Sequence, residues 1–506
     1  NVDKIFLDAY QQIVTATGET YPEVNRAIND RIKKGALIMN YLGHGSEKGL
    51  AHENILSISD IRSWDNYDKL PLFMTATCEF SRFDDENISA GEWIFLNPNG
   101  GGIGLFTTTR LVYSSPNFRL NREFYDYIFE HNENGKYRFG DILRLTKNAV
   151  GSELNKLNFT LLGDPAMSLN YPEYSIKMTR INEHAVESFA DTLKALSEVE
   201  VEGYMADLSG NKLSDYEGIV YPTVYDKKVT LTNLANDGGP LMEFGIQKNI
   251  LFRGKSSIEN GHFKFSFLVP KDIGYNVGTG KFSFYGTNGE TDASGVNLQI
   301  NIGGSSDSVF SDVSGPEVKL FMNDTSFVYG GITNEDPVFL AKVHDLQGIN
   351  TTGNGIGHDI TAIIDDNKQD IIVLNDYYES DLDNYQAGTI RYPINDLEPG
   401  THTINLKVWD NLNNSSQSDI QFEVNSSAQL ILRNLLNYPN PFTTHTDFYF
   451  EHNQAGIPLD ALIQIYTVSG RLVKSFEFIE SEGTQLDAGK FRVGPVSWDG
   501  LDQYGD

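Results

Sequence analysis

Two short apolar runs near the amino end constrain this chain more than anything else in it. Residues 36–42 (ALIMNYL) stop at the Gly43–His44–Gly45 triplet, and residues 70–77 (LPLFMTAT) stop at Cys78, the one cysteine among 506 residues. Apolar runs of this length that end on turn signals read as buried strands of a parallel sheet, which needs helices on both faces. In open α/β sheets, ligands sit in the crevice beyond the carboxyl ends of the strands. If the two runs are neighbouring strands, His44 and Cys78 emerge into one crevice. A thiol becomes a strong nucleophile when an imidazole takes its proton, so the pair has the composition of a nucleophile and its base. Glycines on both sides of His44 allow a sharp bend and close approach of a substrate. The backbone amides of Gly45 and Cys78 are then the candidates for an oxyanion hole.

Each residue also has an ordinary reading. A lone cysteine behaves as a small buried hydrophobe, and a histidine between glycines fits a plain turn. Their arrival at successive strand ends is what favours catalysis.

The length leaves room for about three to five domains, each with its own core. The net charge of −30, from 39 basic and 69 acidic residues, argues against nucleic acid and anionic membrane surfaces as direct partners. A single cysteine excludes an intrachain disulfide framework, and no window reaches the roughly 18 apolar residues of a transmembrane helix. The opening NVDKIFLDAY lacks a basic segment and a long apolar core. It is expected to be a strand already under way rather than a signal peptide, which suggests a piece of a longer protein.

Residues 22–34 (PEVNRAINDRIKK) put Val24, Ala27, Ile28 and Ile32 on one helical face, and Gly35 supplies the stop. A short helix is expected over residues 59–65, and Ser89 of SAGE opens a capping box for a helix through Trp93 and Phe95. A strand follows over residues 103–109, then an aromatic amphipathic helix over 116–131 and another helix over 139–150. The polar stretch after the cysteine, EFSRFDDEN, carries Glu79, Arg82, Asp84, Asp85 and Glu86 at the mouth of the crevice. It reads as a solvated loop whose clustered oxygens also suit a structural calcium, with no cofactor required.

From Tyr171 onward the helical period gives way to short alternating runs such as VTLTNL, HFKFSFLV and KFSFYG. These predict a β-sandwich over residues 171–303, a linker over 304–315 and a second, immunoglobulin-like sandwich over 316–426. Within the latter, GNGIGHDITAIIDD gathers His358, Asp359, Asp365 and Asp366, yet such spacing is weak as a metal motif, and no metal site is expected. Residues 427–506 form a last segment. The expected architecture is therefore multidomain, an α/β domain over residues 1–170 followed by all-β sandwiches.

The motif NYLGHGSE, with the cysteine of TATCEF 34 positions after His44, resembles the gingipain-type cysteine peptidases. The likeness continues through GGIGLFTTTRLVYSSP and closes with LLGDPAMSL, covering residues 1–170. It implies a caspase-like α/β sandwich in which His44 is the general base and acid, Cys78 the nucleophile, and the Gly45 and Cys78 amides the oxyanion hole. Arginine-specific members carry a tryptophan where Tyr113 stands here, so a different pocket is implied, with Tyr113, Glu79 and Arg82 as its candidates. The family's acidic partner of the histidine lies farther upstream than Asn1, and Asp3 and Asp8 do not replace it.

The final segment, LLNYPNPFTTHTDFYF to VSWDGLDQYGD, resembles the FlgD-type domains found on proteins of the type IX secretion system, ending before their last strand. The texts TATCEFSRFDDE, GIGHDITAIID and PGTHTINLKVWDN are similar to the sortase members of the peptidase family. That resemblance implies a cell-surface endopeptidase and transpeptidase at the outer membrane of Bacteroidetes. It would remove carboxyl-terminal sorting domains from secreted cargo, join the cargo to anionic lipopolysaccharide and work beside an outer-membrane PorV-like partner. A secreted protease that is itself cargo, and a catalytically silent adhesin, are the alternatives.

Overall fold

The structure, a computed structural model, describes residues 2–16, 18–132, 135–308, 310–352, 357–424, 432–452, 459–467, 472–480, 484–487 and 490–502. Residues 353–356 of the GNGIGHD motif and 503–506 of the closing motif lie outside the described residues. The chain divides into two compact units, residues 1–312 with 351–357 and 380–385, and residues 313–350 with 358–379 and 386–506.

The first unit opens its α/β domain with helix α1 (Pro22–Lys34), which buries Val24, Ile28 and Ile32 and ends at Gly35. Pro22 starts it at the one position where a missing N–H costs nothing. Strand β1 (Ile38–Leu42) follows, then a short helix α2 (Ile58–Arg62) held by a capping box between Ser57 and Asp60. Strand β2 (Leu72–Ala76) is buried throughout, helix α3 (Ala90–Leu96) begins with the expected Ser89–Glu92 capping box, and strand β3 (Gly104–Thr108) is again fully buried. Helices α4 (Ser114–Ile128) and α5 (Phe139–Ala149) precede the last strand, β4 (Phe159–Leu162).

The sheet order is β4–β3–β2–β1. Strands β1, β2 and β3 are parallel, while β4 returns antiparallel along β3. Side chains leave the central strands alternately. Phe73 and Leu105 join Ile32, Ile61 and Ile94 on one face, while Met74, Ala76 and Phe106 join Leu120, Phe124 and Ile142 on the other. One sheet between two helical layers results, and each large apolar side chain so buried contributes about 1.5–3 kcal/mol.

The opening residues depart from expectation. Residues 2–6 form no strand and Leu7–Ala9 is a turn of 3-10 helix. The reason is a contact more than 220 residues away in sequence. Both carboxylate oxygens of Asp8 accept hydrogen bonds from the loop of a hairpin formed by Val229–Thr232 and Glu243–Ile246, with the amides of Ala235 and Asn236 and the side chains of Asn233 and Asn236 as donors. Phe6 packs edge-on against Phe244 at 4.9 Å between ring centres.

In the rest of this unit, the run HFKFSFL shows why strands form. Phe263, Phe265 and Phe267 are buried and the residues between them are not until Leu268. The main sheet runs from Tyr174–Ile181 through neighbouring strands to Asp292–Asn297, which pairs back with Tyr174 and Ser175. That closing pair leaves the circuit without a free edge there. Gly304 and Ser305 complete strand Asn301–Ser305, and the Ser306 amide bonds the Ala195 carbonyl.

In the second unit, two of the four sheets seen among the described residues pack around a core that includes Phe339, Ile390, Leu406 and Phe422. His358 packs on the Trp409 ring at 4.3 Å, and Asp359 accepts a bond from Asn375. Asp365 lies 2.7 Å from His402 Nδ1, while Nε2 of the same ring is 2.7 Å from the Glu398 carbonyl. Burial pulls the His402 imidazole down, but these two acceptors outweigh it and hold the ring above its ordinary value. Of the sequence motif, His358 thus contacts Trp409, Asp359 Asn375 and Asp365 His402.

Candidate active site

Strands β1 and β2 pair in parallel with Leu42 opposite Ala76, an offset of 34 residues. His44 and Cys78 each lie two residues further on, with the same offset, just past the same end of these two strands. Adjacent strands are about 4.8 Å apart, which sets the scale of that crevice.

The loop carrying His44 is tightly tied. The Tyr41 hydroxyl donates to the His44 carbonyl at 2.6 Å, and the Ala51 amide donates to the same oxygen at 2.8 Å. Burial, opposed by a hydrogen bond at Ala51 and helped by Glu53, pushes the Tyr41 phenol up to about 12, so it stays a neutral donor. Neither glycine has a positive φ, and both stand in crowded surroundings. A Cβ on Gly43 would stand 2.6 Å from the Tyr41 hydroxyl, and one on Gly45 would stand 2.7 Å from Thr77 Oγ1. The His44 ring is exposed and packs edge-on against His52, 5.3 Å between centres.

The turn carrying Cys78 is equally constrained. Glu79 has φ 51°, a left-handed conformation that a residue with a Cβ adopts at some cost. Beyond it the chain pairs with the end of β3: the Glu79 amide donates to the Arg110 carbonyl at 3.3 Å and the Ser81 amide to the Thr108 carbonyl at 2.9 Å. The Cys78 thiol is half-buried and donates to the Val112 carbonyl at 3.5 Å, rather than to His44.

The three candidates for a substrate pocket have distinct surroundings. Tyr113 caps the start of α4, is 78% exposed, and has its carbonyl held by Asn155 at 2.8 Å. Glu79 and Arg82 lie 3.8 Å apart, and Arg82 is also 3.6 Å from Asp85. Arg110 takes both carboxylate oxygens of Asp84, and that hydrogen bonding holds the Asp84 carboxyl below the usual range. Arginines therefore meet three of the carboxylates that were candidates for calcium. Asp8 is occupied by the distant hairpin described above.

Sequence reasoning missed Tyr41, Thr77, Thr108 and His52. Tyr41 lay inside the quoted motif, where its spacing of three from His44 was the available signal. Thr77 and Thr108 read only as strand residues.

Residues 1–170 match the family model described as Peptidase family C25. That match supports a cysteine peptidase of the gingipain family for this domain. Among solved structures, the chain is similar to a dimeric latent PorU from Porphyromonas gingivalis, 31% identical over 79% of this chain and 38% of that one, with a TM-score of 0.34. It is also similar to the complex of the pro- and mature domains of RgpB from Porphyromonas gingivalis, 14% identical over 54% of this chain and 57% of that one, with a TM-score of 0.28. The chain thus spans little more than a third of the length of the PorU chain. No curated protein matches it.

Proposed function

We propose that residues 1–170 act as a cysteine endopeptidase with Cys78 as nucleophile and His44 as general base and acid, within a cell-surface sortase of type IX secretion. The observation that carries this reading is the shared offset of 34 residues, by which positions 44 and 78 follow the same end of two paired strands. The family match over the same residues supports it.

In this reading His44 takes the thiol proton and Cys78 Sγ attacks the scissile carbonyl carbon. The carbonyl electron pair moves onto oxygen, where the amides of Gly45 and Cys78 donate to it. Collapse of the tetrahedral species expels the amine, which receives its proton from the His44 imidazolium, and a thioester remains. An amine acceptor resolves the thioester by transpeptidation, and water resolves it by hydrolysis. The substrates are secreted cargo with carboxyl-terminal sorting domains, the acceptor is anionic lipopolysaccharide, and a PorV-like outer-membrane protein is the partner. Tyr113 flanks the site as an aromatic wall of the substrate pocket.

Replacing Cys78 by alanine in the full-length cell-surface protein tests the whole reading. Cargo that keeps its sorting domain is the expected result, and normally processed cargo would refute it. Iodoacetamide tests the chemistry separately: Cys78 should alkylate rapidly at neutral pH, and the His44→Ala variant at least about tenfold more slowly. An inert thiol in intact protein would favour an adhesin. Loss of the final domain from the mature protein, read by intact mass, would favour a secreted protease.

A further inference from the structure

Behind Cys78 lies a set of hydroxyls that the proposed reaction does not use. Thr75, Thr77, Ser81, Thr107 and Thr108 are all fully buried. Thr107 Oγ1 lies 2.8 Å from both Thr75 Oγ1 and Ser81 Oγ, tying β2, β3 and the turn after the nucleophile into one unit. Thr108 Oγ1 donates to the Thr77 carbonyl. The Thr77 carbonyl and the Cys78 N–H belong to the same peptide group. That group is planar and trans, so its C=O and N–H point in opposite directions. A hydroxyl that fixes one also fixes the other.

Thr77 reaches the second proposed donor as well. Its own hydroxyl is buried with no hydrogen-bond partner among the described residues, and it would stand 2.7 Å from a Cβ on Gly45. The residue whose carbonyl is clamped is therefore the one packed against the other half of the oxyanion hole.

We propose that Thr108 is a positioning residue for catalysis: by holding the Thr77 carbonyl inside the sheet, it aims the Cys78 N–H at the oxyanion. Without the clamp the peptide group can rotate, and rotation turns a carbonyl oxygen toward the place where negative charge develops. The bonds from the Glu79 and Ser81 amides to Arg110 and Thr108 hold the far side of the turn, so this one peptide group is where the freedom appears. The inference rests on the proposed catalytic role of Cys78.

Two reactions of the same sulfur separate aiming from placing. Alkylation by iodoacetamide displaces iodide at a saturated carbon and forms no oxyanion. Acylation by p-nitrophenyl acetate forms one, then releases p-nitrophenolate. In Thr108→Val the acylation rate should fall about 10- to 100-fold, within the range for a lost or misaimed donor. Alkylation should stay within about twofold, because the thiol and imidazole are untouched. Thr108→Ser, which keeps the hydroxyl, should acylate within about threefold of wild type. Should the valine variant fail to fold, Thr108→Ala, which removes the donor and adds no bulk, is read the same way. Wild-type acylation in the valine or alanine variant would overturn the inference. So would equal loss of both reactions, which would make Thr108 a support of the fold alone. Failure of the catalytic reading itself shows elsewhere, in a wild-type protein that neither acylates nor alkylates in a His44-dependent way.

Discussion

At the level of single residues, the site is governed by how little space surrounds Gly45. Its missing Cβ would stand 2.7 Å from Thr77 Oγ1, 3.2 Å from Thr77 Cγ2 and 3.1 Å from the Gly49 carbonyl. Gly45→Ala should therefore destabilise the protein by about 1–3 kcal/mol, the usual cost of overpacking. Thr77→Ala removes two of the three obstructing atoms, so the double variant should recover about 1 kcal/mol or more relative to the sum of the single changes. Urea denaturation of the four proteins measures that coupling, and strict additivity would show that the two positions do not touch. His44 and Cys78 were legible in the sequence because each ends an apolar run at a turn. Gly43 and Gly45 were legible as sites of a bend and of close approach, but the crowding around them was not. That crowding involves Tyr41 and Thr77, whose positions depend on strand pairing. Thr108 was hidden for the same reason, since its partner lies 31 residues back along the chain.

Among the elements, those set by local sequence were read closely and those set by distant contacts were not. Helix α1 has its predicted bounds because Pro22 and Gly35 are themselves the signals. The opening residues failed because Asp8 was visible only as an acid, whereas its role is to hold the loop of a hairpin beyond residue 229. Burial raises this carboxyl, but the Asn236 and Ala235 amides and the asparagine side chains outweigh it and hold it below the ordinary value. A depressed folded value means stabilisation that is present above the unfolded value, near 3.8, and lost as pH falls through the folded one. Hydrogen exchange of the hairpin amides should therefore quicken, relative to the intrinsic rate, as the pH is lowered below about 4. Asp8→Asn supplies a donor where both oxygens must accept. At pH 7 it should loosen the hairpin by about 2 kcal/mol, the scale of hydrogen bonds to a charged group. Unchanged protection in that variant would mean that the Phe6–Phe244 contact carries the docking by itself.

Over the whole molecule, the dominant physical fact is charge. A chain with 69 acidic and 39 basic residues repels anions at long range, and the proposed acceptor is an anionic lipopolysaccharide. The sequence displayed this imbalance openly, yet its consequence becomes specific only once the chemistry is drawn as a thioester with two fates. Water is neutral and abundant, so hydrolysis is indifferent to the field of the protein. An anionic acceptor is depleted near that field, and the depletion weakens as the screening length shrinks from about 30 Å at 0.01 M salt to about 10 Å at 0.1 M. Electrostatic effects on association reach about 10- to 1,000-fold at low ionic strength. The ratio of transpeptidation to hydrolysis with lipopolysaccharide should therefore rise several-fold across that range of salt. With glycinamide, whose small amine is partly cationic, the ratio should stay level or fall. Both ratios can be read by mass spectrometry of the cargo product in one reaction series. A lipopolysaccharide ratio that fell with salt would mean that a locally basic surface, rather than the net charge of the chain, meets the acceptor.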